Sequence, residues 1–233
     1  GEGKVMGLAP YGQPTEQAKF NKIITPLAGG KYKMNMRYFR YHYTADKKSP
    51  FYSKKFVKIF GSPRKPETKL TERDKNLAAT LQETTEKIGV HLAHYLAEKT
   101  QEKNLCICGG VALNSVMNFK ILQQTSFEKV FIYPASHDGG TAIGAALYFY
   151  FQVLNNSRKP ITQSPYLGPA YSNSEVETTL NKFNLKYQKI DSEDQLCQQA
   201  AKAIYQGKII GWFQGRLEIG PRALGNRSII CAP

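Results

Sequence analysis

One stretch of the chain carries sustained helical periodicity. Leu77, Leu81, Ile88, Leu92 and Tyr95 recur on one face, and Thr71-Glu72-Arg73-Asp74 supplies a capping-box start, so the pattern predicts a helix from Thr71 to about Lys99. The period then changes. Leu105-Cys106-Ile107-Cys108 is a short apolar run that reads as a buried strand. A helix from about Asn114 to Gln124 follows, then a second strand at Val130–Tyr133, a loop Pro134–Gly140 and an apolar helix from Thr141 to Leu154. Strands alternating with helices in this way argue for an α/β fold that binds ligands at strand C-termini. Upstream, Gly3–Gly12 reads as a short helical or turn element. Thr15–Leu27 reads as a helix ended by Gly29-Gly30. The segment after it reads as short strands and loops, with turns at Ser49-Pro50 and Gly61-Ser62-Pro63. Residues 155–165 are polar and aperiodic, as in a linker. Beyond them, Ser174–Phe183 and Glu193–Gln206 are expected as helices, and Lys186–Ile190 and Lys208–Phe213 as strands.

With 233 residues and 41% hydrophobic side chains, the chain can bury a core. Mean hydropathy is −0.44, no apolar stretch is long enough to span a bilayer, and Gly1-Glu2-Gly3-Lys4 lacks the pattern of a signal peptide. These features make cytoplasm the expected location. Cys106, Cys108, Cys197 and Cys231 follow no zinc-ribbon or C-x-x-C spacing, so four reduced, mostly buried thiols are expected. The formal net charge is +14, concentrated between Lys31 and Lys69, where Lys47-Lys48, Lys54-Lys55 and Arg64-Lys65 lie among tyrosines and phenylalanines. That interleaving suits either stacking of bases beside bound phosphates or a solvated basic face with its rings packed inward.

Chemistry concentrates in three glycine-bearing turns. Gly109-Gly110 follows the first strand, where missing side chains allow either close approach of a phosphorylated ligand or tight strand–helix packing. Asp138, followed by Gly139-Gly140 and a helix, is placed either to hold a divalent cation beside nucleotide phosphates or to cap that helix. Gln214–Ser228 sets Arg216, Arg222 and Arg227 among glycines, a proline and the single acid Glu218, directly after the apolar run Ile209–Phe213. Guanidinium forks match phosphate oxygens and stay charged, so the pattern suits capture of a small phosphorylated anion. His91 and His94 sit three apart on the long helix with no carboxylate expected beside them, and are not assigned to a site.

Four motifs, in order, carry a resemblance. They are Gly1-Glu2-Gly3-Lys4-Val5-Met6-Gly7-Leu8-Ala9-Pro10-Tyr11-Gly12, Cys108-Gly109-Gly110-Val111-Ala112-Leu113-Asn114, His137-Asp138-Gly139-Gly140-Thr141-Ala142-Ile143-Gly144-Ala145-Ala146 and Gly211–Ile229. Together they resemble the NodU/CmcH/TobZ family of O-carbamoyltransferases. The resemblance implies an actin/hexokinase-like (RNase H-like) half-domain over residues 1–154, a linker over 155–165 and the start of a YrdC-like α/β domain over 166–233. It implies that carbamoyl phosphate and ATP are converted to a carbamoyl-adenylate, whose carbamoyl group passes to a hydroxyl of a small acceptor such as a sugar or antibiotic. On that pattern Lys4, Gly109, Gly110, Val111, Asn114, Gly139 and Gly140 line the nucleotide site. Asp138 is a ligand of a divalent metal (Fe2+ or similar, with Mg2+ as the alternative). Arg216, Arg222 and Arg227 bind carbamoyl phosphate or nucleotide phosphates.

The family also uses an H-x-x-x-H pair for its metal, and this chain has none. Missing parts of the same polypeptide are therefore expected partners, and the chain alone is expected to be inactive. Two related carbamoyl-transfer proteins share parts of the pattern. The hydrogenase-maturation protein HypF has its YrdC-like module before the nucleotide domain, opposite to the order here. The tRNA-modifying TsaD group shares the Gly-Gly-Val and Asp core, and a nucleic-acid role for this chain would rest on Lys31–Lys69 alone. A sugar kinase reading leaves the arginine motif without a use.

Overall fold

The computed structural model describes residues 2–41, 50–158 and 164–232. Expectations for Gly1, Lys47-Lys48, Ser49, Pro233 and residues 159–163 of the linker lie outside the described residues. The chain is a mixed α/β protein that folds as two compact units: Gly1–Ile107 with Asn114–Ile132, and Cys108–Leu113 with Tyr133–Pro233.

The first unit is organised by helix α4, Glu72–Thr100, which begins where the sequence places it. Thr71 and Asp74 form a reciprocal capping box, and Gln101 ends the helix in the left-handed conformation. Its buried face differs from the expected Leu/Ile stripe. Ala78, Ala79, Thr80, Thr84, Ala93 and Ala97 are buried, whereas Leu81 is 42% exposed. Small side chains allow the close approach of α1 (Glu2–Leu8), the 3-10 turn Ala9–Tyr11, α2 (Gln17–Phe20) and α5 (Ser115–Gln124). Thr80, fully buried, is satisfied through Asn76 O at 2.7 Å and the Glu16 N–H at 3.2 Å.

The expected helix over Thr15–Leu27 is limited to α2. Ile24-Thr25-Pro26-Leu27 instead forms strand β1, antiparallel to β2 (Lys31–Met34). The β-branched pair and Pro26 oppose a helix, and Gly29 and Gly30, at φ +72° and +63°, supply the hairpin turn. Within the basic stretch, where only strands and loops are expected, Lys54–Phe60 forms helix α3, capped by the Ser53 hydroxyl. Phe20, Ile23 and Phe60 make a buried cluster joined by Tyr38, Phe39, Phe56, Ile59 and Leu77.

Strands β3 (Asn104–Ile107) and β4 (Lys129–Ile132) pair in parallel, linked through α5. Their core joins Leu105, Met117, Ile121 and Phe127 to Ala93 and Ala97 of α4.

In the second unit, α6 (Thr141–Tyr148) continues as a π-helical segment, Phe149–Val153. Two helices, α7 (Asn173–Lys182) and α8 (Glu193–Tyr205), start at Ser172 and Ser192 hydroxyl caps. The expected strand Lys186–Ile190 is absent, because no described strand pairs with it. Strand β5 (Ile210–Phe213) is present and pairs antiparallel with β6 (Arg227–Ile230). All sheets among the described residues have two strands, too little cover to bury the cysteines. All four thiols are free and exposed, correcting the expectation of burial.

Candidate functional site

The second unit gathers the three glycine-bearing turns. The Gly109 N–H donates to Ser136 O at 2.7 Å, joining the Gly-Gly turn to the loop that carries Asp138. Arg222 Nη2 donates to Leu113 O at 3.2 Å, joining the arginine loop to the 3-10 turn Gly110–Leu113. Gly220, at φ +95°, lies against Pro134 O and Ala135 N. Segments far apart in sequence thus share one junction through backbone contacts.

Space is open beside Gly109 and Gly110, where an added Cβ would meet nothing within 4 Å. Val111 is 63% exposed on the same turn, while Ala112 anchors it at 2%. Asp138 begins the 3-10 turn Asp138–Gly140. Its carboxylate caps neither that turn nor the helix at Thr141 among the described residues; instead the Thr141 hydroxyl donates to its backbone oxygen at 2.6 Å. A Cβ added at Gly140 would collide with Ala135 O, and one added at Gly139 would run into the His137 ring. Two polar atoms here, Ser136 Oγ and His137 Nδ1, are buried without a hydrogen-bond partner among the described residues. Such groups are costly unless a ligand or water satisfies them.

Among the described residues no three His, Cys, Asp or Glu side chains converge to hold a metal ion. Asp138 alone would supply a single ligand, so the described residues do not make a metal site by themselves. His91 is engaged elsewhere, with Nε2 at 2.9 Å from Leu27 O and 3.1 Å from Lys31 O.

The three arginines differ. They sit on or beside the loop between β5 and β6, closed at its base by Gln214 N–H to Asn226 O at 2.9 Å. Arg216 is exposed, and its backbone oxygen is fixed by Asn226 Nδ2 at 2.7 Å. Arg222 is half-buried against Leu113 O. Arg227 is committed internally: Nε donates to Glu218 Oε2 at 3.1 Å and Nη2 to Gly220 O.

Glu218, to which the sequence reading gives no role, is the loop's centre. Its side chain has no exposed surface. Its Oε1 accepts from the backbone N–H groups of Leu224 (2.9 Å), Asn226 (2.7 Å) and Arg227 (3.3 Å). The signal available in the sequence was its isolation: one acid among three arginines and three glycines. Burial disfavours its charged form, but the backbone donors outweigh that and hold its carboxyl down at about 2, from an ordinary 4.5. A depressed folded-state value means the carboxylate stabilises the loop fully above pH 4.5. That stabilisation fades as pH falls through about 2. Amide protection factors of Leu224 and Asn226 should therefore decline between those pH values; flat protection over that window would contradict this balance.

Lys4 and Asn114 belong to the first unit. Lys4 is exposed on α1. Asn114 caps α5, its Oδ1 accepting from Met117 N–H at 3.0 Å, and it exchanges hydrogen bonds with the Gln82 amide at 3.0 and 2.9 Å. In the basic stretch, Phe60 packs on Phe20 and Phe56 with ring centroids 5.0 and 4.5 Å apart. Those rings serve the core, while Tyr32, Tyr41 and Phe51 stay exposed. No helix among the described residues is long and apolar enough to cross a membrane.

The sequence that builds these turns and this loop has known relatives. Residues 1–147 match the family described as Carbamoyltransferase N-terminus, and residues 201–233 match Carbamoyltransferase C-terminus. The chain belongs to the carbamoyltransferase family. It is 42% identical over its whole length to an uncharacterized protein of Synechocystis sp., covering 38% of that protein. It is 37% identical to the nodulation protein NolNO of Sinorhizobium fredii, again over the whole chain and 32% of the relative. Against the 3'-hydroxymethylcephem-O-carbamoyltransferase of Streptomyces clavuligerus it is 32% identical over 54% of this chain and 22% of the relative. The chain thus spans about two fifths or less of these relatives.

Proposed function

We propose that this chain is part of an O-carbamoyltransferase whose second unit holds carbamoyl phosphate at the arginine loop and ATP over the Gly109-Gly110 turn. The observation that carries this reading is the junction in which Arg222 reaches Leu113 O while the Gly109 N–H reaches Ser136 O. Anion-binding and ligand-approach features meet there, rather than lying on separate faces. Family membership supports the same chemistry.

In this reading, water releases phosphate from carbamoyl phosphate, and the carbamate oxygen attacks the α-phosphorus of ATP. Pyrophosphate leaves and carbamoyl-adenylate remains. The acceptor hydroxyl then attacks the carbamoyl carbon, loses its proton and expels AMP. Arg216 and Arg222 contribute positive charge where phosphate departs. The unsatisfied Ser136 hydroxyl offers a donor or acceptor beside the glycine turn. A cation at Asp138 would polarise phosphate oxygens when bound, and its remaining ligands would come from outside the described residues. The two-domain boundaries at 154 and 166, the actin/hexokinase-like and YrdC-like folds and a small hydroxyl-bearing acceptor belong to the same proposal.

The test is pyrophosphate release by the full-length protein with ATP and carbamoyl phosphate. Arg216→Gln and Arg222→Gln should each raise KM for carbamoyl phosphate about ten- to a hundredfold, since a hydrogen bond to a charged group contributes about 1.5–3 kcal/mol. Unchanged KM in both variants would remove the arginine loop from donor binding.

A further inference from the structure

We infer that Glu218 is the positioning residue of the arginine loop and Arg227 its brace, leaving Arg216 and Arg222 as the guanidinium groups that meet the phosphorylated donor. This inference rests on the carbamoyl-phosphate reading above.

An anion among three arginines is a poor device for binding a phosphate, since like charge opposes the ligand. Glu218 escapes that conflict because its charge is consumed within the loop. Both carboxylate oxygens are occupied, and no part of the side chain faces solvent. Three backbone N–H groups from residues 224–227 converge on Oε1, a geometry that would collect a free anion were a carboxylate not already there. The carboxylate therefore folds the far arm of the loop back on the near arm. Arg222 lies on the stretch between Glu218 and those amides, so its approach to Leu113 O depends on that fold-back.

Arg227 completes the brace. A guanidinium grips an anion bidentately through its Nε/Nη2 side edge or its Nη1/Nη2 end. In Arg227 the side edge is turned inward to Glu218 and Gly220 O, so that edge is spent on the loop. Arg216 has the opposite character: a backbone fixed by Asn226, and a guanidinium that makes no hydrogen bond or ion pair among the described residues. The sequence offers three equivalent arginines, and the structure divides them by role.

The experiment uses the full-length protein, with pyrophosphate-release kinetics and amide hydrogen exchange on each variant. Glu218→Gln keeps the shape but sets an amide N–H2 against donors. It should raise KM for carbamoyl phosphate at least tenfold, leave KM for ATP within about twofold and lower protection of the 224–227 amides at least tenfold. Adding Arg227→Gln to Glu218→Gln should change KM by no more than about twofold, because the brace is already gone. Arg216→Gln should act by a similar factor with or without Glu218→Gln. Arg227→Lys provides a milder variant if Glu218→Gln does not fold. It keeps the charge but lacks Nε–H, so it should behave like Arg227→Gln; wild-type KM in Arg227→Lys would mean that charge rather than bracing matters, overturning the assignment. Equal effects of Arg227→Gln in both backgrounds would overturn it too, by placing Arg227 on the donor. If Arg216→Gln and Arg222→Gln leave carbamoyl-phosphate KM unchanged while Glu218→Gln exposes the amides, the donor reading falls and the loop-organising role stands.

Discussion

Gly220→Ala should destabilise the second unit by about 3 kcal/mol, seen as a lower urea midpoint for the full-length protein with the slope unchanged, and should impair carbamoyl-phosphate use as well. Two costs combine. The residue sits at φ +95°, where an L side chain is strained by about 1–3 kcal/mol. A Cβ would also collide with Pro134 O and press on Ala135 N, and overpacking of this kind typically costs about 1–3 kcal/mol. Relief requires the arginine loop to move away from the strand-end loop that carries Asp138, so stability and donor KM should change together. Gly110→Ala separates the two effects. Its φ is not positive and nothing lies within 4 Å of the added methyl, so stability should change by less than about 0.5 kcal/mol. The methyl nonetheless fills space proposed for the nucleotide, so KM for ATP should rise. A Gly220→Ala protein as stable as wild type would show that the Pro134 contact does not hold the loop.

The parts of this fold that could be read from sequence are those set by local rules. Thr71 and Asp74 satisfy each other's backbone partners across one turn, so α4 starts where the residues say. The alternation of β3, α5 and β4 likewise follows local apolar runs. What could not be read depends on neighbours. Leu81 fits the helical stripe as well as any residue, yet Ala78, Ala79 and Thr80 are chosen for burial because other helices approach closely there. Helix α3 was hidden by charge: Lys54, Lys55 and Lys58 obscure the apolar spacing of Phe56, Ile59 and Phe60, which acquires meaning only against Phe20 and Ile23. At the site, the three motifs were visible, while the different hydrogen bonding of the three arginines was not. That difference follows from where Glu218 points, a property of the folded loop.

Phe60→Ala should be the most damaging single truncation in the first unit, costing about 3–5 kcal/mol, the range for removing a buried aromatic ring. Phe60 is 4% exposed and meets Phe20 edge-on and Phe56 in a tilted pair, contacts that add to simple burial. Its backbone oxygen also receives Arg73 Nη2 of α4, so the residue ties α3 to the long helix by packing and by hydrogen bonding. Phe60→Leu keeps most of the volume and should cost about 1.5 kcal/mol or less. With Ala, the cavity should loosen Phe20 and Ile23 and, through them, the β1–β2 hairpin, whose register begins at Ile24. Amide exchange should then quicken at Ile24 and Asn35, whose N–H donates to Ile23 O at 2.7 Å, while β3 and β4, in the other cluster, keep their protection. A loss below about 1 kcal/mol would mean that the aromatic rings of the basic segment are not a core, which would return them to the surface as candidates for stacking against a nucleic acid.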